Sequence, residues 1–323
     1  MEPQLILPSY KPTSIVTVTL NPAIDQTVSV VDFRPYAVNR VAQERSDPGG
    51  KGVNISSFLA DFSYHSVATG LLGRDNAKTF EELFAAKGIG DRFVRIDGKT
   101  RVNLKIMDEV QQDVTDLNFP GQPPTLADLD DLQEEIDQLV VDHDWFILAG
   151  SAPEGVPATV YHDLVTGLKL IDKTVVLDTS GQPLQYALAA QPDVIKPNIF
   201  ELQEVLGQTL DSERAVLKAA RDIVQQGIGC VVVSMGSFGA LFVDAERAIH
   251  AAPPALDIKS TVGAGDAMVA GFVAAKIQGL PLDGCARLST AFSMGALGQI
   301  GPMLPSVEAV MAFGDRVTLR EVD

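Results

Sequence analysis

Four short stretches of uninterrupted apolar character decide what this chain can become: Trp145–Ala149, Val175–Asp178, Val194–Lys196 and Cys230–Ser234. A strand with one wet face alternates apolar and polar residues. These do not alternate, so both of their faces must be covered. Helical segments lie between them, and strands alternating with helices build a parallel sheet. Ser14–Leu20 is a further β-branched strand bounded by Asn21-Pro22, and Val67–Leu72 is another. Helical patterning runs from Gly52 to about Phe62 and from Asn76 to Lys87, where Gly88 provides the stop. The expected fold is therefore α/β, a doubly wound, mostly parallel sheet flanked by helices. Helices at about 283–298 and 306–312 are expected to close it.

Two regions break that rhythm. Residues 26–45 read as extended, and so do Phe93–Ile96, Arg101–Met107 and Val114–Phe119, with no helix between them. Strand excursions from an α/β body predict a small secondary sheet, with lid strands at about 26–45 and 92–119. Thr125 starts the next helix, with Asp128 at the capping-box spacing and Leu126, Leu129, Leu132, Ile136 and Leu139 along one face. Residues 1–13 are expected to be a leader, and 14–323 a single domain carrying the lid.

With 323 residues the chain can bury a large core, and a formal net charge of −17 disfavours nucleic acid or an anionic membrane surface as a general partner. Cys230 and Cys285 sit in apolar surroundings without metal-ligand spacing, which reads as two buried thiols. No apolar run approaches membrane-spanning length and no signal-peptide core precedes the first strand. The expected location is the cytoplasm.

Chemistry gathers where the strands end, the place where open parallel sheets bind ligands. Asn21 and Asp25 follow the first strand, Gly49-Gly50-Lys51-Gly52-Val53-Asn54 opens a helix, and Gly150-Ser151 follows Ala149. Lys196-Pro197-Asn198 with Glu201, and Ser234-Met235-Gly236-Ser237-Phe238-Gly239, follow later strands. The stretch Ser260–Phe272 runs small residues into Asp266 and then into a smooth apolar helix to about Ile277. Glycines before a helix admit close approach, and the first turn offers unpaired N–H groups and the positive end of the dipole: an anion site, most naturally for phosphate. A carboxylate at its edge either has a chemical task there or is simply an Asp near a helix start in an ordinary turn, where Asp is common. Both G-x-x-x-x-G-K-[ST] and a G-x-G-x-x-G after the first strand are absent, which disfavours a dinucleotide-binding oxidoreductase.

The glycine-lysine signature at 49–54 and the stretch 260–272, with Lys196-Pro197-Asn198…Glu201 and Ser234–Ala240 between them, resemble the motifs of the PfkB-type, ribokinase-like carbohydrate kinases. Order and spacing match over about residues 14–312. Thr19–Asp25 and Thr100–Lys105 resemble the phosphosugar branch of that family. There the resemblance implies an ATP-dependent, Mg²⁺-assisted kinase acting on fructose 1-phosphate, with tagatose 6-phosphate and fructose 6-phosphate as neighbouring acceptors. Asp266 would be the general base, with the amides of Gly263, Ala264 and Gly265 stabilising the transferring group. Asp25, Gly50, Asn54, Asn103 and Ser151 would hold the sugar, and Lys51, Arg101 and Lys105 its phosphate. Lys196, Asn198, Ser234, Gly236, Gly239 and Ser293 would meet ATP, and Asn198 with Glu201 would hold Mg²⁺ largely through water. A homodimer joined through the lid is also implied. Two departures stand out: Ala149–Gly155 replaces the usual S-G-S-L-P-x-G, and Gly301-Pro302 stands where Gly-Thr is common. A catalytically silent sugar-phosphate-binding regulator is the alternative of a different class.

Overall fold

The computed structural model describes residues 14–111, 113–256, 258–299 and 301–323; the expected leader lies outside them. In chain order the strands are β1 (Ile15–Thr19), β2 (Ala23–Val30), β3 (Val41–Gly49), β4 (Ser66–Gly73), β5 (Gly90–Asp91), β6 (Val94–Ile96), β7 (Arg101–Asp108), β8 (Val114–Leu117), β9 (Trp145–Ala149), β10 (Thr174–Asp178), β11 (Val194–Ile195), β12 (Cys230–Ser234), β13 (Ala240–Asp244), β14 (Ala248–Ala252) and β15 (Thr318–Glu321).

The main sheet runs β15-β14-β13-β12-β11-β10-β9-β1-β4-β5, with β6 also on β4. From β12 to β5 every pairing is parallel; β12-β13-β14-β15 is antiparallel. The uninterrupted apolar runs explain the layering. Phe146, Leu148, Val175, Leu177, Val231 and Val233 enter one core cluster, while Ile147, Ala149, Val176 and Val232 enter the cluster on the opposite face. Successive side chains of a strand point to opposite faces, so a strand apolar at every position glues a helical layer to each. The expected α/β architecture with its mostly parallel sheet is what forms.

Three sequence expectations change. The run Phe93–Ile96 contributes β6, which pairs with β4 in the main sheet (Leu71↔Val94) and not with the small one. Leu126 is 82% exposed, so the helix Leu126–Leu139 buries only Leu132, Ile136 and Leu139, although the Thr125/Asp128 capping box is present. The fold ends on a strand, β15, beyond the helices Leu282–Leu297 and Val307–Gly314.

The small sheet has the order β3-β2-β7-β8. It grows out of the site end of the main sheet: β2 leaves β1 across Leu20, Asn21 and Pro22, and β3 runs into Gly50 and the helix Lys51–Asp61. Ile24 anchors its base in a third cluster with Val53, Leu72, Phe80 and Phe84. Register then sorts its side chains. Asp25 opposes Asn103 and Asp47, Thr27 opposes Lys105 and Arg45, and Lys105 opposes Asp116, so all of these share one face. That face looks toward the main sheet's strand ends.

Candidate active site

The helix Ala264–Ile277 begins at Gly263, which takes a φ of 77° and lends no side chain to cap the first turn. A left-handed residue there is cheap only for glycine. Further constraint comes from its surroundings, since a Cβ on Gly263 would lie 3.2 Å from Phe58 Cζ, and one on Gly265 would lie 3.4 Å from Lys196 Nζ. The first turn of the helix thus has a buried ammonium group, that of Lys196, close beside Gly265. Unpaired first-turn amides and a nearby ammonium both favour an anion there.

Asp266 sits in that turn and is 7% exposed. Asn54, buried on the helix Lys51–Asp61, donates to Asp266 Oδ2 at 2.8 Å. Burial pushes the Asp266 carboxyl up to about 6; Lys51 opposes that shift and Asp178 adds to it. Such a group is ionised at neutral pH yet basic enough to accept a proton.

Asp178 closes β10 and is fully buried. Lys51 Nζ donates to its Oδ1 at 2.9 Å, and Lys196 Nζ lies 3.4 Å from the same oxygen. Burial alone would raise the Asp178 carboxyl, but the two lysines outweigh it and hold it below the usual range. Reciprocally, burial disfavours the Lys51 ammonium, yet Asp178, Asp266 and Glu201 hold it charged. Two cations are thereby fixed beside the helix N-terminus despite the acidic chain as a whole.

Asn198 and Glu201 form a reciprocal capping box. Asn198 Oδ1 accepts from the amides of Phe200 and Glu201, both at 2.9 Å, and Glu201 Oε2 accepts from the Asn198 amide at 2.8 Å. Asn198 therefore spends its oxygen on the backbone, whereas Glu201 Oε1 faces Lys51 Nζ at 4.0 Å. Among the described residues no group of three or more His, Cys, Asp or Glu side chains is placed to hold a metal ion. The Oε1 oxygen of Glu201, free of the capping box, would suit a Mg²⁺ ion that keeps most of its shell as water and phosphate oxygen.

On the small sheet, Asn103 Nδ2 donates to Asp25 Oδ1 and Lys105 Nζ to Asp25 Oδ2, each at 3.1 Å. A Cβ on Gly49 would come within 3.0 Å of Asp25 Oδ2, and one on Gly50 (φ 114°) within 3.0 Å of Pro22 and Thr19. Both glycines let the carboxylate and the helix start crowd together. Ser151 accepts from Asn21 Nδ2 at 3.1 Å, beside Gly150. Arg101 shares the face of Asp25, but its guanidinium donates to the carbonyls of Asn21, Pro22 and Phe119 at 3.1–3.3 Å. Burial lowers its pKa from the ordinary value, against the pull of Asp25.

A crevice between the small sheet and the body brings Asp25, Asn54 and Lys105 together with Ser260–Val262 and Gly301-Pro302. Asn198 and Ser234 form an isolated parallel bridge, which brings the end of β12 beside the segment that follows Lys196. Gly236 and Gly239 bound a tight turn with φ of 61° and 88°. Ser293 is half-buried on the helix Leu282–Leu297. Sequence reasoning missed Asp178, although its place at the end of an apolar run was a usable signal. It also missed Thr27, Asp47, Asp116 and Lys259, which line the crevice; counting by twos along the strands from Asp25, and across to their partners, finds the first three.

The pattern of the pfkB family carbohydrate kinases matches residues 18–309. The chain belongs to this family. Among its pfkB relatives, a 1-phosphofructokinase of Rhodobacter capsulatus is 50% identical over 307 residues, covering 95% of this chain and 97% of that relative. A 1-phosphofructokinase of Xanthomonas campestris pv. campestris is 43% identical over 284 residues, covering 86% and 89%. Phosphofructokinase-2 from Escherichia coli, solved in complex with substrates and products, superposes with a TM-score of 0.87 at 28% identity, covering 93% of this chain and 98% of that one. Among the described residues no helix is long and apolar enough to cross a membrane.

Proposed function

We propose that this pfkB kinase is a 1-phosphofructokinase, transferring the γ-phosphoryl group of ATP to the 6-hydroxyl of fructose 1-phosphate to give fructose 1,6-bisphosphate and ADP. The observation that carries the reading is Asp266: a buried carboxylate with a raised pKa, restrained by Asn54 and set against the open first turn of a helix. The choice of sugar is supported by 1-phosphofructokinase relatives up to 50% identical.

An alcohol is a poor nucleophile until its proton is removed. Asn54 occupies Asp266 Oδ2, leaving Oδ1 to take that proton as the bond to phosphorus forms. Negative charge on the transferring group is spread over its equatorial oxygens, and the amides of Gly263, Ala264, Gly265 and Asp266 meet it without reorganising. Lys196, whose ammonium lies close to Gly265 in the same turn, adds a positive charge there. Asp25, held by Asn103 and Lys105, orients sugar hydroxyls with Gly50, Asn54 and Ser151. Lys51, Lys105 and Arg101 take the sugar phosphate, Arg101 by exchanging backbone carbonyls for phosphate oxygens. The Ser234–Gly239 loop and Ser293 receive the nucleotide. Mg²⁺, when bound through Glu201 with Asn198 fixing that carboxylate, offsets the charge of the ATP phosphates.

The small sheet exposes Val41, Val102 and Leu117, with Val31, Tyr36 and Val38 in the turn joining β2 to β3, and it ends in two open edges. Those features support a homodimer formed through the lid. ATP and a phosphorylated sugar as substrates place the enzyme in the cytoplasm.

A coupled ADP-release assay with fructose 1-phosphate, fructose 6-phosphate and tagatose 6-phosphate, run with and without Mg²⁺, tests the assignment. Fructose 1-phosphate is expected to give the highest kcat/KM, dependent on Mg²⁺. A higher value for another acceptor changes the sugar; binding of all three without ADP release indicates a regulator and overturns the kinase reading.

A further inference from the structure

The Ser234–Gly239 loop closes on itself and is also tied to a neighbouring strand. Within it Met235 N donates to Gly239 O at 2.8 Å and Gly239 N to Gly236 O at 3.0 Å, leaving the Phe238 carbonyl turned outward. It meets His250 Nε2 at 2.7 Å. A carbonyl only accepts, so that ring nitrogen carries the proton. His250 lies on β14, and the loop is pressed onto the same strand: a Cβ on Gly239 would come within 2.0 Å of the Ala251 carbonyl oxygen.

The other ring nitrogen is gripped from two further elements. His250 Nδ1 lies 3.0 Å from Glu213 Oε2, at the start of the helix Glu213–Val224, and 2.9 Å from Arg320 Nη2, on β15. Arg320 Nη2 in turn donates to both Glu213 oxygens, at 2.9 and 2.7 Å. A neutral His250 accepts from Arg320 at Nδ1; a protonated one donates to Glu213. In either form the ring cannot turn away, and its Nε2–H stays on Phe238. The His250 side chain is itself 15% exposed, although the Phe238 that it holds is an exposed residue.

We propose that His250, locked by Glu213 and Arg320, is a positioning residue for nucleotide binding: it fixes the Phe238–Gly239 peptide plane and so the shape of the loop that receives the ATP phosphates. The inference rests on the kinase reading above. It makes the last strand of the fold a functional part of the nucleotide site, although β15 contributes no residue to the crevice.

The test compares His250→Leu, His250→Gln and Arg320→Met with the unaltered enzyme. Steady-state KM values for ATP and fructose 1-phosphate, kcat, and the Kd of a fluorescent ATP analogue without sugar are the readouts. Loss of one positioning hydrogen bond in His250→Leu is expected to raise the KM and Kd for the nucleotide by roughly 5-fold, with the KM for fructose 1-phosphate unchanged and kcat within about 2-fold. His250→Gln, which keeps an N–H at the same reach, is expected to recover most of the loss, and Arg320→Met to show a smaller one. Unchanged nucleotide Kd in His250→Leu overturns the proposal. A parallel rise in both KM values, unrescued by Gln, reduces His250 to a general structural role and overturns it too. Should the unaltered enzyme itself bind no nucleotide, it is the kinase reading that fails.

Discussion

A carboxylate that is 7% exposed and tied through one oxygen to Asn54 is a costly place for negative charge. Ionising Asp266 in the folded state is disfavoured relative to the unfolded chain, since its pKa rises from 3.8 to about 6. Stability tied to this group is present at low pH and is lost as pH climbs through about 6. Asp266→Asn is therefore expected to be more stable than the parent at pH 7, by up to about 3 kcal/mol, and the gain should shrink toward zero near pH 4; denaturant unfolding at both pH values measures this. The same variant should lower kcat by several orders of magnitude with the ATP Kd nearly unchanged, and near-normal turnover would remove Asp266 as the base. In the parent, kcat/KM should fall as pH drops below about 6, tracking that carboxyl. Arg101→Ala and Lys105→Ala should chiefly raise the KM for fructose 1-phosphate. If only Lys105→Ala does so, Arg101 serves the backbone alone. Asp266 was legible because glycines and a helix start surround it in the chain. Asp178 went unnoticed because its partners Lys51 and Lys196 are distant in sequence, and its place at the end of an apolar run is only a weak mark by itself.

Elements were legible where a single rule of burial governed them. Strands β9 and β12 follow from uninterrupted apolarity alone, and the helix Ala264–Ile277 from its glycine start. Strand β6 misled because a short apolar run looks the same in either sheet; only its parallel pairing with Leu71–Gly73 assigns it. The antiparallel end escaped notice for a related reason. β13 and β14 are joined by Ala245–Arg247 alone, a hairpin connection where strand–helix alternation leads one to expect a helix. The Asn198/Glu201 pair shows an element-scale compromise, since one capping box both satisfies a helix start and aims a carboxylate oxygen at the phosphate region. Asn198→Ala is expected to cost about 1 kcal/mol of stability and to raise the Mg²⁺ concentration giving half-maximal rate. Glu201→Gln should raise it further while disturbing stability less; equal Mg²⁺ dependence in both variants and the parent would separate this pair from the metal.

At the scale of the whole molecule, the chain carries a net charge of −17 yet sets Lys51 and Lys196 together on the buried Asp178 and puts Lys105 and Lys259 on the crevice lining. Charge on that scale was readable from composition, while its local reversal required the fold. The lid's exposed apolar residues give a further expectation. Leu117→Glu, on the face away from the crevice, should shift the enzyme from dimer toward monomer in sedimentation velocity at micromolar concentration; a parent that sediments as a monomer would dismiss the lid interface. One connection in the chain has a mechanical corollary. β3 ends at Gly49, and Lys51 opens the helix that presses Asn54 against Asp266. Only Gly50, with a φ of 114°, separates the strand that pairs Asp47 with Asp25 from the helix that carries Asn54. A substitution at Gly50 would therefore strain both at once, and Gly50→Ala is expected to disturb the Asn54–Asp266 contact as well as the base of the small sheet.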